Sequence, residues 1–312
     1  MHIPDGFLDV KTIVTTTALS TGGAVVAWNR VRRALPPHRI PLLGVSAGFV
    51  FAAQMLNFPV VGGTSGHLMG AVLLSVLLGP YAAVIAMGVV LFVQCVVFAD
   101  GGMLALGANV FNMAIVGVAT GYPLFRLVRR LLPARAGLLP AAAIASWVSI
   151  MASALCCAGE LAWSRAGEWH FVFTAMGGIH AIIGLGEAAI TCLVIAGIHA
   201  SRPDLLDEQQ PPTGTPHRLS PIAFGFFAAL GLVLFISPFA STWPDGLETV
   251  ASSLGFSQRA IIVAGPLHPF PDYAFPGVAS ASLSAILAGT IGVLIVSAFA
   301  LTLTLVVKQK KG

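Results

Sequence analysis

Long apolar runs separated by short polar gaps constrain this chain more than any other feature of its sequence. A hydrocarbon layer about 30 Å thick takes about 20 apolar residues in a helix, and within it only helices or closed barrels satisfy every backbone N–H and C=O. The runs Thr12–Trp28, Pro41–Phe58, Leu68–Leu78, Tyr81–Ala99, Gly107–Phe125, Leu138–Gly159, Phe173–His199, Pro221–Phe239 and Ser284–Val307 predict nine helices. The expected fold class is therefore all-α: a polytopic integral membrane protein with a seven-helix body and two C-terminal transmembrane helices. Only 9% of residues are charged, against about a quarter in a soluble domain. The third run is short, and reads either as a tilted helix ending at Gly79-Pro80 or as a re-entrant segment lining a cavity.

If all nine runs cross, the basic residues sort by side. Arg30, Arg32, Arg33, Arg39, Arg126, Arg129, Arg130, Arg135, Arg202, Arg218, Lys308, Lys310 and Lys311 share one side, whereas only Lys11, Arg165 and Arg259 take the other. That is the positive-inside pattern, and it predicts a multi-pass protein of the cell (inner) membrane with Met1 outside and Lys311 in the cytoplasm. A re-entrant third segment would spoil the sorting, so the charges favour a crossing. The net charge of +4 is spread over these short gaps rather than gathered on a soluble face, which argues against a nucleic-acid partner. Asp5 and Asp9 precede the first basic residue, Lys11, so the N-terminus lacks the positive start of a signal peptide and its amine is expected to survive. Residues 1–200 form the expected body, the hydrophilic stretch 201–219 a cytoplasmic linker, and 220–312 a two-helix tail. The tail's outer loop, Ala240–Gly277, is punctuated by turn-forming residues and reads by default as a connector.

The head, Met1-His2-Ile3-Pro4-Asp5-Gly6-Phe7-Leu8, can chelate a metal. The terminal amine, the deprotonated His2 amide and His2 Nδ1 close a five-membered and then a six-membered ring. Three in-plane nitrogens suit square-planar Ni(II) or Cu(II) better than tetrahedral zinc or oxygen-seeking magnesium. Pro4 disfavours helix at Ile3 and Gly6 loosens the backbone, so the head is expected to fold back as an arm. The alternative is a polar histidine on a frayed end. The second piece is Gly62-Gly63-Thr64-Ser65-Gly66-His67, a glycine-rich loop on the same side. Alone, His67 reads as a surface residue beside a helix start; with the head, it is the donor for the vacant fourth corner. Asn57, Thr64 and Ser65 could orient the imidazoles or hold the arm, or simply cap helices. Cys95, Cys156, Cys157 and Cys192 show no metal-type spacing.

Glu187 is the charged residue near the middle of a run, and His180 lies seven residues before it on nearly the same helical face. The pair could relay protons or cations, or Glu187 could lock helices together. Gly44, Gly48 and Ala52 form a small-residue seam suited equally to internal packing or to a partner. With no Gly-x-x-x-x-Gly-Lys-[Ser/Thr] loop, ATP hydrolysis would fall to another subunit. A membrane metalloenzyme is disfavoured, because four protein nitrogens on a square plane leave no open position for substrate. A proton-coupled secondary divalent-cation carrier using Glu187 stays open.

Met1 to Asp9 together with Gly63-Thr64-Ser65-Gly66-His67-Leu68 resembles the NikM/CbiM family, the substrate-specific membrane components of energy-coupling factor (ECF) transporters for nickel and cobalt. The resemblance covers roughly Met1 to His199, and the Pro4-Asp5 head is similar to the nickel branch. The tail, with Pro244-Asp245-Gly246-Leu247-Glu248, resembles the NikN-type (PDGLE) component. The resemblance implies Ni(II) as transported substrate, with Co(II) as the alternative, bound by Met1, His2 and His67 without an organic cofactor. It also implies a non-enzymatic chain whose partners are a transmembrane coupling protein and ABC-type ATPases.

Overall fold

The computed structural model describes residues 1–133, 136–206, 221–261 and 268–309, which are helical almost throughout apart from one two-stranded hairpin. Arg135, Arg218, Lys310, Lys311 and most of the hydrophilic stretch Ser201–Leu219 lie outside the described residues. The first helix, α1 (Val10–Ala34), starts on Asp9, whose carboxylate accepts the Thr12 N–H at 2.8 Å, as an N-cap should. It is amphipathic inside out: Thr12, Thr16 and Ser20 are buried while Val10, Val14, Leu19, Val25 and Val26 are exposed. The buried hydroxyls find carbonyls within the protein, as Thr16 Oγ1 does on Thr12 O at 2.8 Å, and the apolar side chains are left on the surface, an arrangement suited to an apolar surrounding.

α2 (Ile40–Gln54) stops four residues short of the expected Phe58, because Phe58–Val60 (β1) pairs antiparallel with Thr64–Gly66 (β2). Gly62 and Gly63 turn the hairpin with φ of 93° and 79°, angles that only glycine adopts freely. α3 (Ala71–Leu78) is bounded by Gly70 and Gly79, both at φ 80°, and Pro80 opens α4 (Pro80–Phe98). Its eight residues rise only about 12 Å, and every one is buried among α2, α4 and the helices that follow. α5 (Leu106–Leu131) contains a π turn over Val110–Val116, and the serines of α6 (Leu138–Trp163) hydrogen-bond the carbonyls there, Ser153 to Asn112 O at 2.8 Å and Ser149 to Gly117 O at 2.7 Å. α7 (Trp169–Ser201) buries one stripe, Met176, His180, Ile183, Glu187, Thr191 and Ile195, against this core.

The tail comprises α8 (Ile222–Phe239), the short α9 (Gly246–Ser253) and α10 (Ala281–Gln309). Among the described residues six helices are long and apolar enough to cross a bilayer: α4, α5, α6, α7, α8 and α10. Three of the nine expected spans fall outside these six by length or composition: α1 has the length but an intermittently polar sequence, α2 has 15 residues and α3 has 8. α10 packs on α2 and α4, and α8 on α2. A Cβ at Gly44 would stand 2.9 Å from Ser297 O, so the small-residue seam is filled by the chain's own tail helix. Arg32 and Arg33 end α1, Arg129 and Arg130 end α5, and Arg30 lies 5.7 Å over the Tyr81 ring at the start of α4. The N-terminal arm, the hairpin and the tail's outer loop contact one another away from these basic helix ends.

Candidate metal centre

The arm folds back into the body, with Met1, Ile3, Asp5, Phe7 and Leu8 buried. Ile3 is clamped on both polar groups: its N–H donates to Asn109 Oδ1 at 2.8 Å, and its carbonyl accepts Asn109 Nδ2 at 3.1 Å and Gly102 N at 2.9 Å. The Asp5 carboxylate accepts the N–H groups of Met103, Leu104 and Ala105 at 3.1, 2.9 and 3.1 Å, placing a negative charge on the donors that precede α5. Gly6 sits at φ 92°, and a Cβ there would run into Arg259 O. Pro4 and Gly6 thus act as the sequence suggests, and Asp5 does the anchoring.

This arm delivers Met1 and His2 to His67. The Met1 amine is 2.8 Å from His67 Nε2, and the His2 and His67 rings stack with centroids 5.2 Å apart and 17° between planes. His67 Nδ1 lies 3.1 Å from Leu68 O, a carbonyl that can only accept, so Nδ1 carries the proton and Nε2 presents its lone pair to the amine. Burial first and the charged amine second push the His67 imidazole down to about 3, which keeps it neutral and able to ligate. Nitrogens on adjacent corners of a square plane, each about 2.0 Å from the ion, stand about 2.8 Å apart. Among the described residues no three His, Cys, Asp or Glu side chains converge as a metal site; the candidate donor set differs in including the Met1 amine.

Two carboxylates complete the surroundings, and neither is singled out by sequence reasoning. Asp245, from the tail, accepts the Met1 amine at 2.5 Å. Burial alone would raise its carboxyl, but the charged amine, followed by His67, outweighs that effect and holds it well below the usual carboxylate range. Asp245 also caps α9 in a reciprocal capping box with Glu248, so the stretch expected to be turn-rich punctuation starts a helix. Its Asp-x-x-Glu spacing is the sequence signal that could have found it. Asp100 faces His2 Nδ1 at 3.0 Å; burial would raise it as well, and the His2 imidazole and the Tyr273 hydroxyl reverse the shift. No sequence pattern marks Asp100, whose role arises from the left-handed turn at Ala99 and Gly101.

The remaining expected residues take other tasks. Thr64 and Ser65 bind the tail rather than the imidazoles: Ser65 Oγ donates to Trp243 O at 2.8 Å, Ser65 N to Pro244 O at 2.8 Å and Thr64 Oγ1 to Pro244 O at 3.1 Å. The Asn57 carbonyl accepts Ser241 N at 2.7 Å. Ser241, Trp243 and Pro244 of the tail loop are therefore hydrogen-bonded to the hairpin and the residue before it, so this part of the loop does more than connect two helices. His180 donates to Met176 O at 2.9 Å and lines a cavity of about 10 Å³ with Met1, His67, Met69, Met113 and Asp245. Glu187 does not line it. Its two oxygens accept the N–H groups of Met69 at 2.5 Å and Gly70 at 3.0 Å, pinning the chain just after His67.

A family model described as "Cobalt uptake substrate-specific transmembrane region" matches residues 2–205, and one described as "PDGLE domain" matches residues 219–309. The chain is 38% identical to a provisionally named fused nickel transport protein NikMN of Archaeoglobus fulgidus, over 97% of this chain and 98% of that one. It is 30% identical to the fused nickel transport protein NikMN of Rhodobacter capsulatus, over 96% and 95% of the two chains. A solved structure of a truncated transition metal transporter superposes with a TM-score of 0.58 at 34% identity, covering 64% of this chain and 99% of that one. The chain belongs to the family of cobalt uptake substrate-specific transmembrane regions, joined here to a PDGLE domain, and is a non-enzymatic transport component.

Proposed function

We propose that this chain is the substrate-binding membrane component of an ATP-driven ECF-type uptake transporter, with Ni(II) as its cargo and Co(II) as the alternative. The observation that carries the reading is the 2.8 Å approach of the Met1 amine to His67 Nε2 beside the stacked His2 ring. The ion takes the amine, the His2 amide and His2 Nδ1 from the arm and His67 Nε2 from the hairpin, and binding releases the amine and amide protons to solvent. Asp245 then loses its ammonium partner, so capture loosens the tail loop at the point where it touches the site. Residues 1–200 act as the metal-binding body, and 220–312 as the accessory unit that covers it. The basic helix ends face the cytoplasm and the arm faces outward in the cell membrane. An ECF coupling protein and ABC-type ATPases supply the ATP hydrolysis for which this chain has no phosphate loop.

The test is one alanine added before Met1. The new amine, two amides and the imidazole would let the arm fill all four corners without His67, and a cavity of about 10 Å³ holds about one water, not a residue. Uptake should be lost and the visible absorption of the Ni(II) complex should change while membrane insertion stays normal. Unchanged uptake and spectrum would exclude the Met1 amine as a ligand.

A further inference from the structure

The tail touches the site a second time, through Tyr273. Its hydroxyl donates to Asp100 Oδ2 at 2.6 Å and accepts Gln94 Nε2 at 3.2 Å, while Asp100 Oδ1 faces His2 Nδ1 at 3.0 Å. The Tyr273 ring is fixed by stacking on the fully buried Phe98, with centroids 4.8 Å apart and 21° between planes. Asp272 and Tyr273 lie at φ 50° and 56° in succession. Left-handed backbone at two adjacent non-glycine residues is strained, and such strain persists where the surroundings demand a particular placement. Here the placement aims one hydroxyl at one carboxylate.

A second, independent observation concerns His2. Its Nε2 is buried without a hydrogen-bond partner, an arrangement that is costly in a folded interior. In the chelate Nδ1 belongs to the ion, and Nε2 must carry a proton and find an acceptor. Asp100, whose Oδ1 lies beside the ring at 3.0 Å from Nδ1 and whose Oδ2 is held by Tyr273, is the carboxylate placed to orient it.

We propose that Tyr273 is a positioning residue of the metal site: acting through Asp100 it sets the orientation of the His2 imidazole, so that the PDGLE unit tunes the metal complex formed by the body. This rests on the chelate reading above.

The test uses the full chain purified in detergent, with NiCl2 as the probe, isothermal titration for affinity and visible absorption for the ligand field. Tyr273→Phe keeps the ring stack and removes only the hydroxyl. Loss of an outer-sphere partner of a metal-bound histidine typically weakens affinity by about 10–100-fold; Asp100 is that partner, so Tyr273→Phe, acting one contact further out, is expected at the low end, about tenfold, together with a displaced d–d band. Asp100→Asn should reproduce the displacement, and the double variant should be no worse than Asp100→Asn alone, because both changes act through one chain of contacts. Unchanged affinity and band in Tyr273→Phe would overturn the proposal, as would weaker binding with an unmoved band or fully additive effects in the double variant. A wild-type protein with no square-planar Ni(II) band would overturn the chelate reading and this proposal with it. A normal wild-type band with an indifferent Tyr273→Phe would overturn this proposal alone.

Discussion

Replacing Glu187 with Gln removes one acceptor and little else. The two carboxylate oxygens hold Met69 N at 2.5 Å and Gly70 N at 3.0 Å in a site with no solvent exposure. The amide of Gln keeps one oxygen and turns its NH2 towards the other backbone N–H, so one buried donor is left facing a donor. Hydrogen bonds to charged groups contribute about 1.5–3 kcal/mol, and an unsatisfied buried donor costs about 1–3 kcal/mol. Met69 is two residues from His67, so the loss falls on the backbone that presents the imidazole. Taking about 2 kcal/mol as the share expressed in binding, Ni(II) affinity should drop about 30-fold, at about 1.4 kcal/mol per tenfold. Isothermal titration on the detergent-purified chain measures it, with circular dichroism to check that the helices persist. Wild-type affinity in Glu187→Gln would refute the clamp. If that same variant also abolished uptake driven by a pH gradient in vesicles holding only this chain, the secondary-carrier reading would take its place.

His67→Ala removes a donor outright and should weaken Ni(II) binding by more than about 100-fold, read by the same titration; wild-type affinity would remove His67 from the site. The imidazole's value of about 3, against an ordinary 6.5, means that the folded state resists a proton the unfolded chain accepts. Stability of the metal-free protein should therefore fall as pH drops below 6.5, by up to about 1.4 kcal/mol per unit, until the folded value is reached. Melting temperatures between pH 7 and pH 5 should show this slope, and His67→Gln should flatten it; equal slopes would refute the assignment. Gly44→Ala drives a methyl group against Ser297 O, 2.9 Å from the ideal Cβ, and should cost about 1–3 kcal/mol of thermal stability. Gly22→Ala, which meets nothing within 4 Å, should be neutral or raise stability by about 0.5–1 kcal/mol.

Hydropathy made most of the fold legible, because a bilayer demands long apolar runs and the chain supplies them. It could not reveal that α3 is a buried half-helix, since eight apolar residues between glycines look like a span cut short, not like a core piece. The candidate donors Met1, His2 and His67, which the fold brings together, were readable because chelate ring sizes and the vacant corner are local chemistry. Asp100, Asp245, Asn109 and Tyr273 were not, because they reach the site through tertiary folding from segments that carry no metal-type pattern. Glu187 was visible as an anomaly within an apolar run. Its task depended on where the Met69 and Gly70 N–H groups pointed, which only the structure reveals.

The contact between the Met1 amine and Asp245 joins residues 244 positions apart in the chain. Met1 therefore finds its partner only once the stretch up to Asp245, nearly four-fifths of the 312 residues, is in place. Until then the nascent arm has Met1 and His2 but neither Asp245 nor Tyr273 beside them. A chain stalled or truncated before Asp245 would insert its first helices and display an N-terminus open to any divalent ion, and ribosome-bound intermediates of increasing length should show metal selectivity arising late, in step with synthesis of the tail.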